Sequence, residues 1–193
     1  MAARYAFTTH WRAHAPVERV WDAIAHPLLW PEWWKGVVAV EELEPGDESG
    51  LGALHRYTWK SALPYRLAFD MRVTKVMEPA RLEGRASGEL EGDGVWTFTA
   101  DEDWTDVIYQ WEIQTTRPWM NALSWLLRPA FEWNHDWVMR SGGNGLATLL
   151  GTEVEVFEAP KQRKRWLAAA ALGVSALGGI FVLRRRSAWR PKR

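Results

Sequence analysis

The sequence predicts an α+β domain, an antiparallel sheet whose apolar face is covered by one long C-terminal helix, followed by an apolar segment. Three observations carry this. Segments between residues 37 and 116 alternate apolar and polar positions with period two. After Pro118 the spacing of apolar residues changes to helical. Finally, Trp166–Leu183 runs for 18 residues without a charge.

The elements follow in order. Tyr5, Phe7, Thr9 and Trp11 alternate with Ala6, Thr8, His10 and Arg12, a strand with one apolar face. Pro16 stands where a helix accepts proline, and Val17, Val20, Trp21 and Ile24 follow at helical spacing. Pro27 and Pro31 break off a second short helical piece, LLWPEWW, before Val37–Leu43 returns to strand. From 51 to 116 strands alternate with turns, which are expected at Glu78-Pro79, Glu91-Gly92-Asp93-Gly94 and Asp101-Glu102-Asp103. On the last helix, from about 119 to 150, Leu123, Leu127, Phe131, Val138, Leu146 and Leu149 form one stripe. Pro129 is a kink site, and Gly142, Gly143 and Gly145 are expected to weaken the last third by up to ~1 kcal/mol each. The expected organisation is a domain over 1–150, a linker over 151–165, an apolar helix over 166–183 and a basic tail over 184–193.

Composition excludes several classes of function. The chain has 193 residues, 47% hydrophobic and 25% charged, enough for one core of ordinary size. Without cysteine there is no disulfide, thiolate metal site, thiol nucleophile or Fe–S cluster. The net charge of zero hides an asymmetry: residues 161–193 hold ten Lys/Arg and no acid. Residues 1–160 therefore carry 14 basic against all 24 acidic residues, a body of −10 that is a poor nucleic-acid binder.

The apolar segment is flanked by KQRKR and RRR and has neither a 3.6 period nor a polar face. Membrane insertion is the leading expectation, with an interfacial helix and soluble packing as alternatives. No signal-peptide h-region opens the chain, so the expected placement is a cytoplasmic body held by its C-terminus in a single pass. Translocating the terminal cations runs against the positive-inside tendency, a conflict the sequence leaves open. Ala171, Ser175 and Gly179 fall at small-xxx-small spacing and allow a weak homodimer through the tail.

Enzyme signatures are mostly absent. There is no HExxH, GxSxG or GxxxxGK[ST], and Gly50-Leu51-Gly52 lacks the third glycine of a dinucleotide fingerprint. No cofactor or metal is called for. His10 and His14 read as surface histidines, and Glu41, Glu42, Glu44, Asp47 and Glu48 as a solvated acidic loop. The inward sheet face is more informative. It collects His55, Tyr57, Trp59, Tyr65, Phe69, Trp96, Phe98, Tyr109 and Trp111, with Gly88 as an inward position that leaves room. Such a face is either a ligand pocket with scattered donors or an aromatic core whose polar tips reach the rim. From the helix, the stripe through Phe131 turns Asn134 or His135 inward and Asp136 outward. A buried His135 or His55 is a candidate general acid/base; the alternative for His135 or Asn134 is a hydrogen bond across the helix–sheet interface.

Ala15-Pro16-Val17-Glu18-Arg19-Val20-Trp21-Asp22 with Pro31-Glu32-Trp33-Trp34 resembles the first-helix signature of the START-like superfamily, in its polyketide cyclase/dehydrase and lipid-transport branch. Gly88-Glu89-Leu90-Glu91-Gly92, the Trp96 strand, Tyr109-Gln110-Trp111 and Trp133-Asn134-His135-Asp136-Trp137 are similar to segments of that branch, and the likeness covers residues 4–150. The resemblance implies a helix-grip fold, a curved sheet wrapped around the C-terminal helix and an elongated cavity for a lipophilic ligand. It implies no single catalytic signature. Three functions stay open: a membrane-tethered module holding a lipid, quinone or polyketide-like molecule; a cyclase or dehydratase using cavity His or Tyr; and an adaptor whose cavity is filled by tryptophan.

Overall fold

The computed structural model describes residues 3–60, 66–118, 121 and 124–157, with the backbone alone over 124–127. Strand β1 (Arg4–Ala13) leads into α1 (Val17–Ala25), a 3-10 turn (Pro27–Leu29) and α2 (Trp30–Trp33). Six strands follow, β2 (Val37–Glu44), β3 (Leu54–Lys60), β4 (Arg66–Met77), β5 (Arg81–Gly88), β6 (Leu90–Asp101) and β7 (Trp104–Thr115). The long helix α3 (Ser124–Leu150) and a last strand, β8 (Val154–Phe157), complete the domain.

All eight strands form one sheet in the order β2-β3-β4-β5-β6-β7-β1-β8. Every pairing is antiparallel. Sequential hairpins account for β2 to β7, and β1 returns beside β7 with Trp11 opposite Val107. The alternation read in β1 is the alternation seen: Tyr5, Thr9, Trp11 and Ala13 are buried and Arg4, Ala6 and Thr8 lie on the more exposed side. Outward His10 pairs with Asp106 at 2.6 Å, and His14 is exposed. Pro16 caps α1 through its carbonyl, which accepts from Arg19 and Val20 N–H. Val20, Trp21 and Ile24 form the buried face of α1.

Helix α3 lies on the inner face of the sheet. Phe131 meets Tyr5 edge-on at 5.8 Å, His135 stacks on Phe7 at 4.0 Å, and the Trp34 indole N–H donates to Val138 C=O at 2.9 Å. The helix continues through Pro129. Its glycines are contact points. A Cβ on Gly142 would come within 2.4 Å of Trp34, and one on Gly145 within 2.0 Å of the Trp33 carbonyl. Glycine lets the helix backbone rest directly on α2.

Four expectations need correction. Glu91–Gly94 is not a turn but the start of β6, which begins at Leu90 directly after Gly88-Glu89. Gly92 permits this, because a Cβ there would stand 2.0 Å from the Glu112 carbonyl of the neighbouring strand. Val154–Phe157, read as part of a linker, pairs with β1, so the sheet extends beyond residue 150. Leu149 falls off the buried stripe and is 49% exposed, while Leu146 is fully buried. Gly88 is exposed with φ 105°, a conformation that turns the chain into β6, so it does not face the concavity. No helix among the described residues is long and apolar enough to cross a membrane, and residues 166–183, with the tail pairing site, lie outside them.

Candidate functional site

Between the sheet and α3 lies an inner chamber of about 140 Å³. Of the expected site residues, Trp59, Phe69, Trp96, Tyr109, Trp111, Phe131, Asn134 and His135 line it. The lining contains no Asp, Glu, Lys or Arg among the described residues. A second, outer chamber of about 780 Å³ lies on the α1 side; His55 and Tyr57 line this one and not the inner one. Trp59, Phe69, Trp96 and Tyr109 face both, so the aromatic inward face is a wall with a chamber on each side. Phe98 lines neither, because it packs edge-on against Trp21 of α1 at 5.2 Å. Gly88 lines neither, and Tyr65 lies outside the described residues.

Sequence reasoning missed the contribution of α2. Trp30 and Trp34 are buried and their rings lie 5.0 Å apart; Trp34 meets Trp59 edge-on at 5.3 Å. The signal was present as the PEWW motif, but its four-residue helix gives no face to extrapolate. Tyr5 and Phe7, read as strand, also belong to the inner-chamber wall.

Three polar atoms of that wall are buried without a hydrogen-bond partner among the described residues: Tyr5 OH, Trp59 Nε1 and His135 Nε2. Such atoms each cost about 1–3 kcal/mol when nothing satisfies them, so they cluster where a ligand or water completes the site. Phe7 stacks on His135 at 4.0 Å and lies parallel to the Tyr5 ring at 6.0 Å. Asp136 Oδ1 lies 3.8 Å from His135 Nδ1. Burial pushes the phenol pKa of Tyr57 and Tyr109 up, with the neighbouring Tyr57 adding to the effect on Tyr109. Both phenols are therefore neutral donors at physiological pH. Burial lowers the His55 pKa, opposed by Glu42. Among the described residues no group of His, Asp or Glu is placed to hold a metal.

A helix-grip sheet with an uncharged chamber under its C-terminal helix is the architecture of START-like ligand-binding folds. The chain belongs to the polyketide cyclase / dehydrase and lipid transport family, whose model matches residues 5–151. Among solved structures it is similar to the Zhui aromatase/cyclase from Streptomyces sp. R1128, at 17% identity and TM-score 0.63, over 77% of this chain and 94% of that one. It is also similar to a protein from Thermus thermophilus, at 16% identity and TM-score 0.62, over 75% and 99% of the two chains. A di-domain ARO/CYC protein, BexL of the BE-7585A biosynthetic pathway, is similar at 19% identity and TM-score 0.56, over 75% of this chain and 48% of that one. At these identities the likeness establishes the fold. No curated protein sequence matches the chain.

Proposed function

We propose that this domain binds a neutral lipophilic small molecule, a lipid, quinone or polyketide-like compound, whose apolar end occupies the inner chamber. The observation that carries this is the pairing of an uncharged aromatic wall with three unpartnered buried polar atoms, Tyr5 OH, Trp59 Nε1 and His135 Nε2. Tyr5 OH and Trp59 Nε1 can each donate to a carbonyl or hydroxyl oxygen on an otherwise apolar molecule, and His135 Nε2 can donate or accept. About 140 Å³ is close to the size of cavity that takes up benzene, so the part held there is of single-ring size. The apolar segment 166–183 supports tethering of the domain to a membrane, where such ligands concentrate.

The test is ligand uptake by the full chain, measured with a carbonyl-bearing apolar probe and by mass spectrometry of whatever co-purifies. Val138 lines the chamber from α3, half-buried, and Val138→Phe fills it from that side. Lost uptake with a near-normal melting temperature is the expected result. A wild type that takes up no apolar ligand, with a Val138→Phe variant that melts several degrees lower, would show a packed core instead.

A second reading, an acid/base enzyme of the cyclase or dehydratase type, is favoured by one observation: His135 Nε2 is presented unpartnered at the chamber wall. Turnover of an enolisable polyketide-like substrate by the wild type, with kcat lost in His135→Ala by far more than uptake is weakened, would select it.

A further inference from the structure

The outer chamber differs from the inner one in charge. Its mouth is lined by Asp22, Glu42, Asp47, Glu48, Glu78 and Glu83, and by no lysine or arginine among the described residues. Two of these carboxylates are engaged: Asp47 accepts from the Ser49 and Leu51 N–H groups, and Glu83 pairs with Arg81 at 2.6 Å. Asp22, Glu48 and Glu78 form no ion pair with Lys or Arg among the described residues, and Glu42 faces only a histidine.

That histidine is the independent sign of a ligand. His55 stands opposite Glu42 in the β2–β3 register and lines the outer chamber beside Tyr57. It is 6% exposed, its Nε2 lies 3.8 Å from Glu42 Oε2, and its Nδ1 has no hydrogen-bond partner. Desolvation keeps the ring neutral, so one of its nitrogens offers a lone pair to a donor. Behind it the chamber floor is aromatic, with Tyr57, Trp30 and Trp96. A carboxylate-lined rim over an apolar aromatic floor attracts a cation at the entrance and hydrocarbon at depth.

We propose that the outer chamber is a binding site for an amphiphilic amine, with the protonated amine at the rim where Glu42 and His55 stand together and the hydrocarbon part against the aromatic wall. The site borders the inner chamber along Trp30, Trp59, Phe69, Trp96 and Tyr109, and it takes a ligand of opposite electrostatic character to an acidic lipid. A fatty carboxylate or phosphate at this rim is repelled by the same carboxylates.

The experiment measures binding of octylammonium, octanol and octanoate to the full chain by calorimetry. Octylammonium is expected to bind at least about tenfold more tightly than octanoate, the preference shrinking as salt rises. The triple variant Glu42→Gln/Glu48→Gln/Glu78→Gln should lose most of that preference while its octanol affinity stays. The single variant Glu48→Gln, at an exposed loop position, gives a smaller loss in the same direction and guards against a folding artefact. His55→Phe should weaken the amine and spare octanol. Equal binding of the three probes, amine binding unmoved by the glutamine variants, or no amine binding would each overturn the proposal. Octanol uptake abolished by Val138→Phe, with no amine preference, would leave the inner-chamber function standing and remove this one.

Discussion

Gly142→Ala separates two accounts of the helix glycines. By helix propensity alone the change gains about 1 kcal/mol, because glycine is the poorer helix former by that amount. The structure opposes this. The added Cβ would stand 2.4 Å from Trp34 Cε2 and 2.6 Å from Cζ2, where ordinary contact begins at 3.4 Å. Trp34 must give way by about an ångström, against the contacts that hold it in place. It is 1% exposed, its indole N–H is committed to Val138 C=O, and the rings of Trp11, Trp30 and Trp59 hold it from three sides. Overpacking of this kind costs about 1–3 kcal/mol, more than the propensity gain in most of that range. The expected net loss is about 1 kcal/mol, a fall in Tm of roughly 2–4 °C for a domain of this size. Asn144→Ala, an exposed position on the same helix, is the control and should gain a few tenths of a kcal/mol. The assay is thermal unfolding followed by circular dichroism, all variants in one buffer. A Gly142→Ala protein melting at or above wild type, in step with Asn144→Ala, would refute the packing account.

Two further outcomes are expected. Burial holds the His55 pKa below its usual 6.5 in the folded state, so below about pH 6.5 the unfolded chain takes up a proton that the folded chain declines. Stability contributed by this group is therefore complete above that pH and is lost as pH falls toward the folded pKa; His55→Gln should flatten that limb of the stability–pH curve, and superimposable curves would contradict it. The full chain should sediment with membranes and stay there through a high-salt wash, whereas removal of residues 161–193 should release the domain; release of the full chain by salt alone would reduce the tail to an electrostatic contact.

Strand identity and facing were legible because period two is a local signal, and it needs no knowledge of neighbours. Tyr5 through Ala13, and Val107 through Ile113, bury the side that their alternation marks. Positions where the backbone departs from pleated geometry were not legible. Gly88 continued an apparent alternation from Leu82 and Ala86, yet its positive φ turns the chain there. Gly92 and Gly94 looked like a turn, but glycine in a strand serves equally for close approach, and Gly94 lies under the Tyr109 hydroxyl and the Trp111 ring. The strand Val154–Phe157 was hidden because four residues carry too short a pattern to distinguish from linker. For the site, the inward aromatic set was visible as composition, but its division into two chambers depends on Trp30 and Trp34, whose placement is decided by tertiary contacts.

Three of the chain's 15 tryptophans, Trp30, Trp59 and Trp96, border both chambers. The rings that border the chambers pack against one another, where smaller aliphatic side chains would leave the gap between them unfilled. Large rings in edge-to-face contact hold their spacing instead: Trp34 meets Trp59 at 5.3 Å and Trp96 at 6.5 Å, and Trp96 stacks on Tyr109 at 4.0 Å. The wall is anchored at one end by the Trp34 indole N–H on α3 and at the other by the Trp30 indole N–H on the Ile24 carbonyl of α1. Moving any one ring breaks contacts with several others. At about 140 Å³ the inner chamber lies well below the 300–1,000 Å³ of ordinary ligand sites. A bound molecule of lipid size must therefore leave most of its length outside the inner chamber, and selection by size falls on the one end that enters.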